Sequence, residues 1–176
     1  MKSTAENAAN EICVRNRQRK QSIRTGLLRR IAEHLLTQEL ALTRFDLGIC
    51  LVSPVKMTWL NHTYLGHAGS TDVITFNYAS AKSSGRLHGE IFISVEDAKR
   101  QAREFRATWT EEIVRYLVHG VLHLLGYEDS AANPRRRMKK EEERHLKALA
   151  KLFRFGDLGK VAPRARDARR SAVFRF

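Results

Sequence analysis

The chain has 176 residues, enough for one globular domain with a hydrophobic core and too few for two full domains. With 43% apolar and 29% charged residues and no apolar run near the ~20 residues that span a bilayer, the composition excludes a membrane protein. Lys and Arg outnumber Asp and Glu by 32 to 19, a net charge of +13. Such a charge attracts polyanions, of which nucleic acid is the commonest in the cytoplasm, or else serves solubility and non-specific association.

The beginning of the chain and its cysteines indicate a reducing compartment. The first residues, MKSTAENAANE, hold a single lysine with no apolar segment behind it, so they do not read as a secretory signal, and we expect a cytoplasmic protein. Cys13 and Cys50 each fall in an apolar run of strand character. We therefore expect reduced core thiols rather than a disulfide framework or a cysteine-based zinc site.

The first part of the chain predicts two strands that alternate with two helices. ICVRN, residues 12–16, predicts a short strand, and the apolar spacing after Ser22, which we expect to cap the helix, predicts an amphipathic helix. FDLGICLV, residues 45–52, has apolar side chains on one face and predicts a second strand. Ser53 and Pro54 are an N-cap and a first-turn proline, so VKMTWLNHTYL begins as a helix.

The second part predicts two strands and then three helices. DVITF, residues 72–76, and LHGEIFIS, residues 87–94, have strand composition, and a flexible basic loop, ASAKSSGR, separates them. Ser94 and Thr108 each stand three residues before an acid, which is the capping-box spacing for a helix start. A last, highly charged helix opens at Asn133 and Pro134; its apolar stripe is Met138, Leu146, Leu149 and Phe153.

This order of elements predicts an α+β fold in which a small mixed sheet of about four strands packs with about five helices. We predict one domain over residues 1–153. The composition then changes to Gly, Pro, Ala and Arg without a period, so residues 154–176 predict a basic, mobile tail. Residues 151–176 hold eight Lys or Arg and two Asp, a net charge of +6.

The stretch VHGVLHLLGYEDS, residues 118–130, predicts a metal site at the end of a central buried helix. His119 and His123 are four residues apart, so both imidazoles lie on one face of a helix and can share a cation. Gly126 is a natural helix end, and the chain turning back there can bring Asp129 to the same point. Three protein ligands and an open position are the catalytic form of a zinc site.

The ordinary alternative is a buried helix that carries two imidazoles without a metal. A bare H-x-x-x-H pair more often marks surface or core histidines, but this helix is apolar nearly all round, and imidazoles buried there need partners. Zinc proteases carry a glutamate directly after the first histidine, where this chain has Gly120. A protease is therefore disfavoured, and a metal centre in a basic protein favours phosphodiester hydrolysis.

Three segments resemble one family, the YbeY-type endoribonucleases. The family signature H-G-x-L-H-L-x-G-Y-D-H resembles HGVLHLLGYED of this chain. The family segment L-N-x-x-Y-R…T-D-V-L-S-F-P resembles LNHTYLGHAGSTDVITFNY. The family strand L-G-D-I-x-I-S resembles LHGEIFIS. The resemblance extends in register from about residue 12 to residue 153. It implies a small α+β fold and a metal-dependent, single-strand-specific endoribonuclease that acts in rRNA maturation and ribosome quality control. RNA and the ribosome or its proteins are then the expected partners.

The resemblance also implies the ligands. His119 and His123 match the family's first two metal ligands, and the third, a histidine in the family, falls on Asp129. We predict that these three residues are both the catalytic and the metal-binding residues, with Glu128 as the neighbouring alternative to Asp129. The expected cofactor is one divalent ion, with Zn²⁺ suited best and nickel, cobalt or manganese tolerated.

A second departure from the family lies at Leu65, where the pattern has an arginine implicated in activity. Leucine cannot donate a hydrogen bond to phosphate. Arg86, Lys82 and His67 are the basic residues that could replace the arginine, although no spacing selects among them. The alternative function is therefore a ribosome- or RNA-binding assembly factor with weak or no catalysis; a hydrolase of peptides or small molecules is a third.

The remaining polar and aromatic residues predict ordinary roles. Thr71 and Asp72 line the cleft or support the strand that they begin, and we favour support. We interpret Trp59 and Trp109 as packing residues rather than base-stacking platforms, although Trp59 stands beside polar residues and could be exposed. Histidines without a partner at ligand spacing are predicted not to bind metal: His34, His62, His88 and His145.

Overall fold

The computed structural model describes residues 10–79 and 86–160, and in these the predicted α+β fold is confirmed. The strands are β1 Glu11–Asn16, β2 Arg44–Val52, β3 Val73–Asn77 and β4 Arg86–Ser94. The helices are α1 Thr25–His34, α2 Pro54–Leu60, α3 Val95–Phe105, α4 Trp109–Leu124 and α5 Ala132–Leu152. Their order along the chain is the one that the sequence predicts.

The four described strands form one mixed sheet in the order β1-β2-β4-β3. β1, β2 and β4 run parallel, and β3 lies antiparallel to β4 at the edge. Ile49 of β2 pairs with Ile91 of β4, so their side chains point to the same face of the sheet.

The two faces of the sheet contribute to two separate apolar clusters. Ile49 and Ile91 belong to the main core, which also contains the buried sides of α1 and α4. The opposite face is covered in part by α2 and supplies a smaller cluster: Cys50, Val52, Met57, Leu60 and Ile74. Cys50 is thus a buried core thiol, and Cys13, which is partly buried, is also free.

Three of the predicted helix caps are confirmed and two helix starts differ. The side chains of Ser53, Ser94 and Thr108 each accept a hydrogen bond from a backbone N–H in the first turn of the next helix. Ser22 does not cap α1, which begins at Thr25, because the N–H of Arg24 donates instead to the carbonyl of Leu158 at 2.9 Å. α5 begins at Ala132, just before the predicted Asn133 and Pro134, without a side-chain cap.

Two helices continue into wider turns. α1 is followed by a π-turn, Leu35–Glu39, and α2 by another, Asn61–Leu65. The second π-turn ends at Gly66, whose φ of 68° is a conformation that glycine adopts without strain. Turns of this kind shift the side chains that follow them to a new side of the helix.

The described residues continue beyond the predicted domain end at residue 153. Residues Phe155–Gly159 form a 3₁₀ turn whose Leu158 is fully buried in the main core, so this part of the predicted tail is anchored by apolar packing. The rest of the predicted tail, residues 161–176, lies outside the described residues. Among the helices that the structure describes, none is both long and apolar enough to cross a membrane.

Candidate metal centre

The helix that carries the two histidines, α4, is the central helix of the core. Thr108 caps it, and Glu111 and Glu112 in its first turn interact favourably with the helix dipole. Gly120 packs against β4, where an added Cβ would lie 2.8 Å from Cγ2 of Ile91. The position where zinc proteases have their glutamate therefore faces the sheet, and only a residue without a side chain fits this close contact.

The end of α4 is a Schellman turn that folds the chain back over the second histidine. Gly126 has φ of 88°, its N–H donates to the carbonyl of His123, and the N–H of Tyr127 donates to the carbonyl of Leu122. This reversal places the Tyr127 carbonyl 3.0 Å from Nδ1 of His123. The glycine thus determines both the helix end and the hydrogen bond that orients the imidazole.

His119, His123 and Asp129 are brought together at this point. Nε2 of His119 lies 3.0 Å from Nε2 of His123, and Oδ2 of Asp129 lies 3.9 Å from each of these nitrogens. One ligand atom from each residue falls within 4.8 Å of the others. The histidines are partly buried and the carboxylate is half-exposed, so the cluster is open on the side of Asp129.

A buried carboxylate from α5 orients the first histidine. Oε2 of Glu142 lies 3.0 Å from Nδ1 of His119, and Oε1 accepts a hydrogen bond from Arg115 at 2.9 Å. Burial alone would raise the pKa of Glu142, but the hydrogen bonds from His119 and Arg115 outweigh it and lower the pKa below its ordinary value. The carboxylate is therefore ionised at neutral pH and accepts from Nδ1.

The hydrogen bonds on Nδ1 determine which nitrogens are free. A carbonyl oxygen and a carboxylate are acceptors, so Nδ1 carries the proton in both His119 and His123. When both rings are neutral, their Nε2 lone pairs face each other across 3.0 Å. Two converging lone pairs beside a carboxylate form the donor set that a divalent cation such as Zn²⁺ prefers, so the residues fit a metal ion.

The environment of His123 favours its neutral form. Burial, with the neighbouring His119 next in importance, lowers the pKa of His123 below its ordinary value. The neutral ring is the form that binds metal. A cavity of about 590 Å³ lies behind Glu142 and is also lined by Glu112, Tyr116 and Lys139; His119, His123 and Asp129 do not line it.

Other predicted site residues lie elsewhere. Glu128, the alternative to Asp129, lines a separate cavity with Tyr127 and does not join the cluster. Leu65 is 49% exposed. The guanidinium of Arg86 lies 4.0 Å from Asp46, and Lys82 lies outside the described residues. His67 is exposed, and the described residues assign the role of the family arginine to none of these basic side chains.

The histidines predicted not to bind metal lie outside the cluster. His34, His88 and His145 each have a carboxylate as neighbour, at 4.0, 3.6 and 3.4 Å, and His62 is exposed. Asp72 accepts hydrogen bonds from Thr71 and from the N–H of Val73, which is the supporting role at the strand start that we favoured.

The prediction that Trp59 is a packing residue is wrong. Its side chain is 48% exposed, because the face of α2 that carries it points away from the sheet. Met57 and Leu60 are the residues of α2 that pack in the small core.

Sequence reasoning did not single out Glu142 or Arg115. A signal for Glu142 was present: it stands four residues after Met138 and four before Leu146, on the apolar stripe of α5, where a carboxylate needs a buried partner. The sequence could not show that the partner is a ring on α4, because that contact joins residues 23 apart in the chain.

Comparison with known proteins gives one consistent family. The family model described as "Endoribonuclease YbeY" matches residues 13–150. The chain is 32% identical to the endoribonuclease YbeY of Salinibacter ruber over 130 residues, which cover 70% of this chain and 82% of that protein. The chain is 37% identical to the endoribonuclease YbeY of Chlorobium phaeovibrioides over 93 residues, which cover 53% of this chain and 61% of that protein. The match to Chlorobium phaeobacteroides is 38% over 93 residues and spans 65% of that relative's length.

Among solved structures, a solution structure of a Thermotoga maritima protein has the same fold. Its TM-score is 0.59 at 23% sequence identity, and the match covers 89% of this chain and all of that one. At this identity the likeness supports the arrangement of the elements only.

Proposed function

Because the chain belongs to the YbeY endoribonuclease family, we propose that it is a metal-dependent endoribonuclease that cleaves single-stranded RNA. Its ligands are His119, His123 and Asp129. Its substrates are rRNA precursors or defective ribosomal RNA, and it acts in the cytoplasm with the ribosome as partner. The net charge of +13 supports a polyanionic substrate.

The observation that carries this proposal is the pair of facing nitrogens. Nε2 of His119 and Nε2 of His123 are 3.0 Å apart, although both rings already use Nδ1 to donate to another acceptor. When both rings are neutral, the two lone pairs repel each other unless a cation lies between them and Asp129. In a purely structural role a proton on one Nε2 would join the two rings by a hydrogen bond, so the metal content of the purified chain distinguishes the two roles.

The residues around the centre prepare it for a phosphate. A divalent ion held there would supply Lewis acidity toward a phosphate oxygen and would acidify a water molecule. Glu142 holds the ring of His119 in position, and the Tyr127 carbonyl does the same for His123. Asp129 is half-exposed and faces the open side, so substrate approaches past a carboxylate. That carboxylate reduces the net charge of the centre to +1, compared with +2 for three histidines.

The test is to purify the chain without a histidine tag, measure its metal content by elemental analysis and incubate it with single-stranded and double-stranded RNA. We expect about one divalent ion per chain and cleavage of the single strand, with both lost in His123→Ala. His62→Ala is the matched control, because it removes an exposed histidine outside the cluster. A chain that binds metal and leaves RNA intact under broad conditions would contradict the nuclease activity.

One observation favours a second candidate, an RNA- or ribosome-binding assembly factor with weak catalysis. Leu65 is exposed where the family pattern has an arginine, so this position gives no hydrogen bond to phosphate. The double variant Leu65→Arg with Asp129→His distinguishes the candidates. A large gain in cleavage from a low baseline supports the assembly factor, whereas little change supports an enzyme that is already competent.

A further inference from the structure

An exposed aromatic surface lies on α2 and the π-turn that follows it. Trp59 is 48% exposed and Tyr64 is 58% exposed, and Val55 and Leu65 beside them are exposed as well. We call Trp59, Tyr64 and Lys56 the aromatic patch. Four of the eight large apolar side chains that are exposed in the described residues come from this short stretch. A concentration of this kind marks an interaction surface rather than scattered surface residues.

The patch is preorganised by the fold. Trp59 and Tyr64 are five residues apart, a spacing that an α-helix would place on different sides, and the π-turn at Asn61–Leu65 brings them together. Their rings meet edge to face with centroids 6.0 Å apart. Tyr64 in turn contacts Phe76 of β3 at 5.1 Å, and Phe76 contacts Phe92 of β4 at 5.7 Å. The exposed rings are thereby held by partly buried ones in the sheet.

The charge around the patch is suited to an anionic ligand. The ammonium group of Lys56 lies 3.4 Å from the centroid of the Trp59 ring, which shows that a flexible, exposed group occupies one ring face. No acidic residue occurs in the chain between Asp46 and Asp72. A lysine beside two exposed aromatic rings is the combination with which proteins bind single strands, since bases stack on the rings and the ammonium binds a phosphate.

The position of the patch relates it to the metal centre. Phe76, which supports Tyr64, points to the α2 side of β3, whereas the next residue, Asn77, donates to the carbonyl of Leu124 on α4 at 3.2 Å. Leu124 is adjacent to His123. The patch and the end of α4 that carries His123 therefore lie on the two sides of the edge strand β3, so a single strand bound at both would cross that edge.

We propose that the aromatic patch is a stacking site for unpaired bases of the RNA whose scissile phosphate lies at the metal centre. This inference rests on the proposed function, because that function makes single-stranded RNA the ligand. Lys56 leaves the face of Trp59 when a base stacks there and binds a neighbouring phosphate. The alternative occupant, a protein partner that packs on Trp59, is an outcome of the test.

The test measures binding without cleavage. A fluorescein-labelled single-stranded 12-mer RNA is titrated in EDTA with the wild-type chain, Trp59→Ala and Tyr64→Ala, and thermal melting checks that each variant is folded. We expect each variant to bind about 5- to 100-fold more weakly, with the same slope of log Kd against log salt. Lys56→Gln should lower that slope by about 0.7, because one phosphate contact is lost. Phe105→Ala is the control, since it removes an exposed ring from α3 and should bind as the wild type does.

A second measurement does not depend on the stability of the alanine variants. In Trp109→Phe, Trp59 is the only tryptophan of the chain. We expect RNA to quench the fluorescence of Trp59 over the same concentration range in which the titration shows binding. In cleavage assays with metal, Trp59→Ala should raise KM and leave kcat unchanged, since stacking stabilises bound substrate and transition state equally.

The outcomes separate this inference from the proposed function. If the wild type cleaves RNA, while Trp59→Ala binds it normally and Trp59 is not quenched, the stacking site is refuted, the nuclease stands, and a protein becomes the occupant to look for. If Trp59-dependent binding is found without cleavage in the presence of metal, the stacking site stands and the nuclease is refuted. If no RNA binding is detected in EDTA, the stacking site is refuted, and cleavage in the presence of metal decides the nuclease separately.

Discussion

Glu142 of α5 accepts a hydrogen bond from Nδ1 of His119 on α4 at 3.0 Å, while Arg115, one turn before His119, donates to the other oxygen of the same carboxylate at 2.9 Å. The arrangement fixes the ring so that Nε2 faces His123 and Asp129. Packing of α5 on α4 is thus coupled to metal affinity.

The first prediction concerns this carboxylate. Glu142→Gln removes the negative charge behind His119 and should lower affinity for zinc by about 10- to 100-fold, as measured by competition with a chromophoric chelator. Glu143→Gln is the matched control, because its side chain is half-exposed and near Lys147 rather than the centre. Equal affinities in the two variants would show that the contact of Glu142 with His119 does not support the metal.

The second prediction tests which acid is the third ligand. Asp129→Asn replaces a carboxylate that lies 3.9 Å from both Nε2 atoms by a neutral amide, so zinc affinity should fall by at least about tenfold. Glu128→Gln changes the neighbouring acid, which lies outside the cluster, and should leave the affinity unchanged. The reverse result would transfer the role to Glu128 and contradict the assignment of Asp129.

A third prediction concerns the contact between α4 and the sheet. In Gly120→Ala the new methyl group meets the side chain of Ile91, which is fully buried and has no room to move. Gly26→Ala, in α1, gains a similar helix propensity but meets nothing within 4 Å. The free energy of unfolding, from urea titration, should therefore be about 1–3 kcal/mol lower in the first variant than in the second. Equal stabilities would mean that the backbone of α4 shifts freely away from β4.

A fourth prediction concerns pH and a histidine away from the centre. His145 is fully buried, and burial together with Arg144 lowers its pKa below the ordinary value of about 6.5. The folded chain then binds fewer protons than the unfolded chain, so the free energy of unfolding is highest above about pH 6.5 and falls as the pH is lowered below it.

His145→Gln measures this contribution because it removes the titrating group and keeps a neutral polar side chain. In metal-free protein, the decrease in the free energy of unfolding from about pH 8 to about pH 5.5 should be smaller in the variant than in the wild type. The lowered pKa of His123 acts in the same direction, so the free energy of unfolding of the His145→Gln variant still decreases to some extent over this pH range. Identical decreases in both proteins would exclude His145 as a source of the pH dependence.

Local patterns predicted the secondary structure because each depends on residues close in the chain. The caps at Ser53, Ser94 and Thr108 join groups three residues apart, and their positions were predicted correctly. The start of α1 was missed because the backbone N–H of Arg24, just before the helix, donates to the carbonyl of Leu158, which is more than a hundred residues away in the chain. Residues 155–159 were predicted as part of a tail because composition is a local property, whereas their packing on the core depends on residues that are distant in the chain.

The sequence by itself determined the α+β class, the buried histidine helix and the glycine that ends it, since helical periodicity and turn chemistry are local properties. Only the tertiary structure decided that the two Nε2 atoms face each other, because that orientation depends on Glu142 and on the Tyr127 carbonyl behind the rings. It also decided that Trp59 and Tyr64 share one exposed surface, since a π-turn and the rings of two paired strands bring them together. Contacts between distant segments depend on how helices and strands pack, and no periodicity in the chain encodes them.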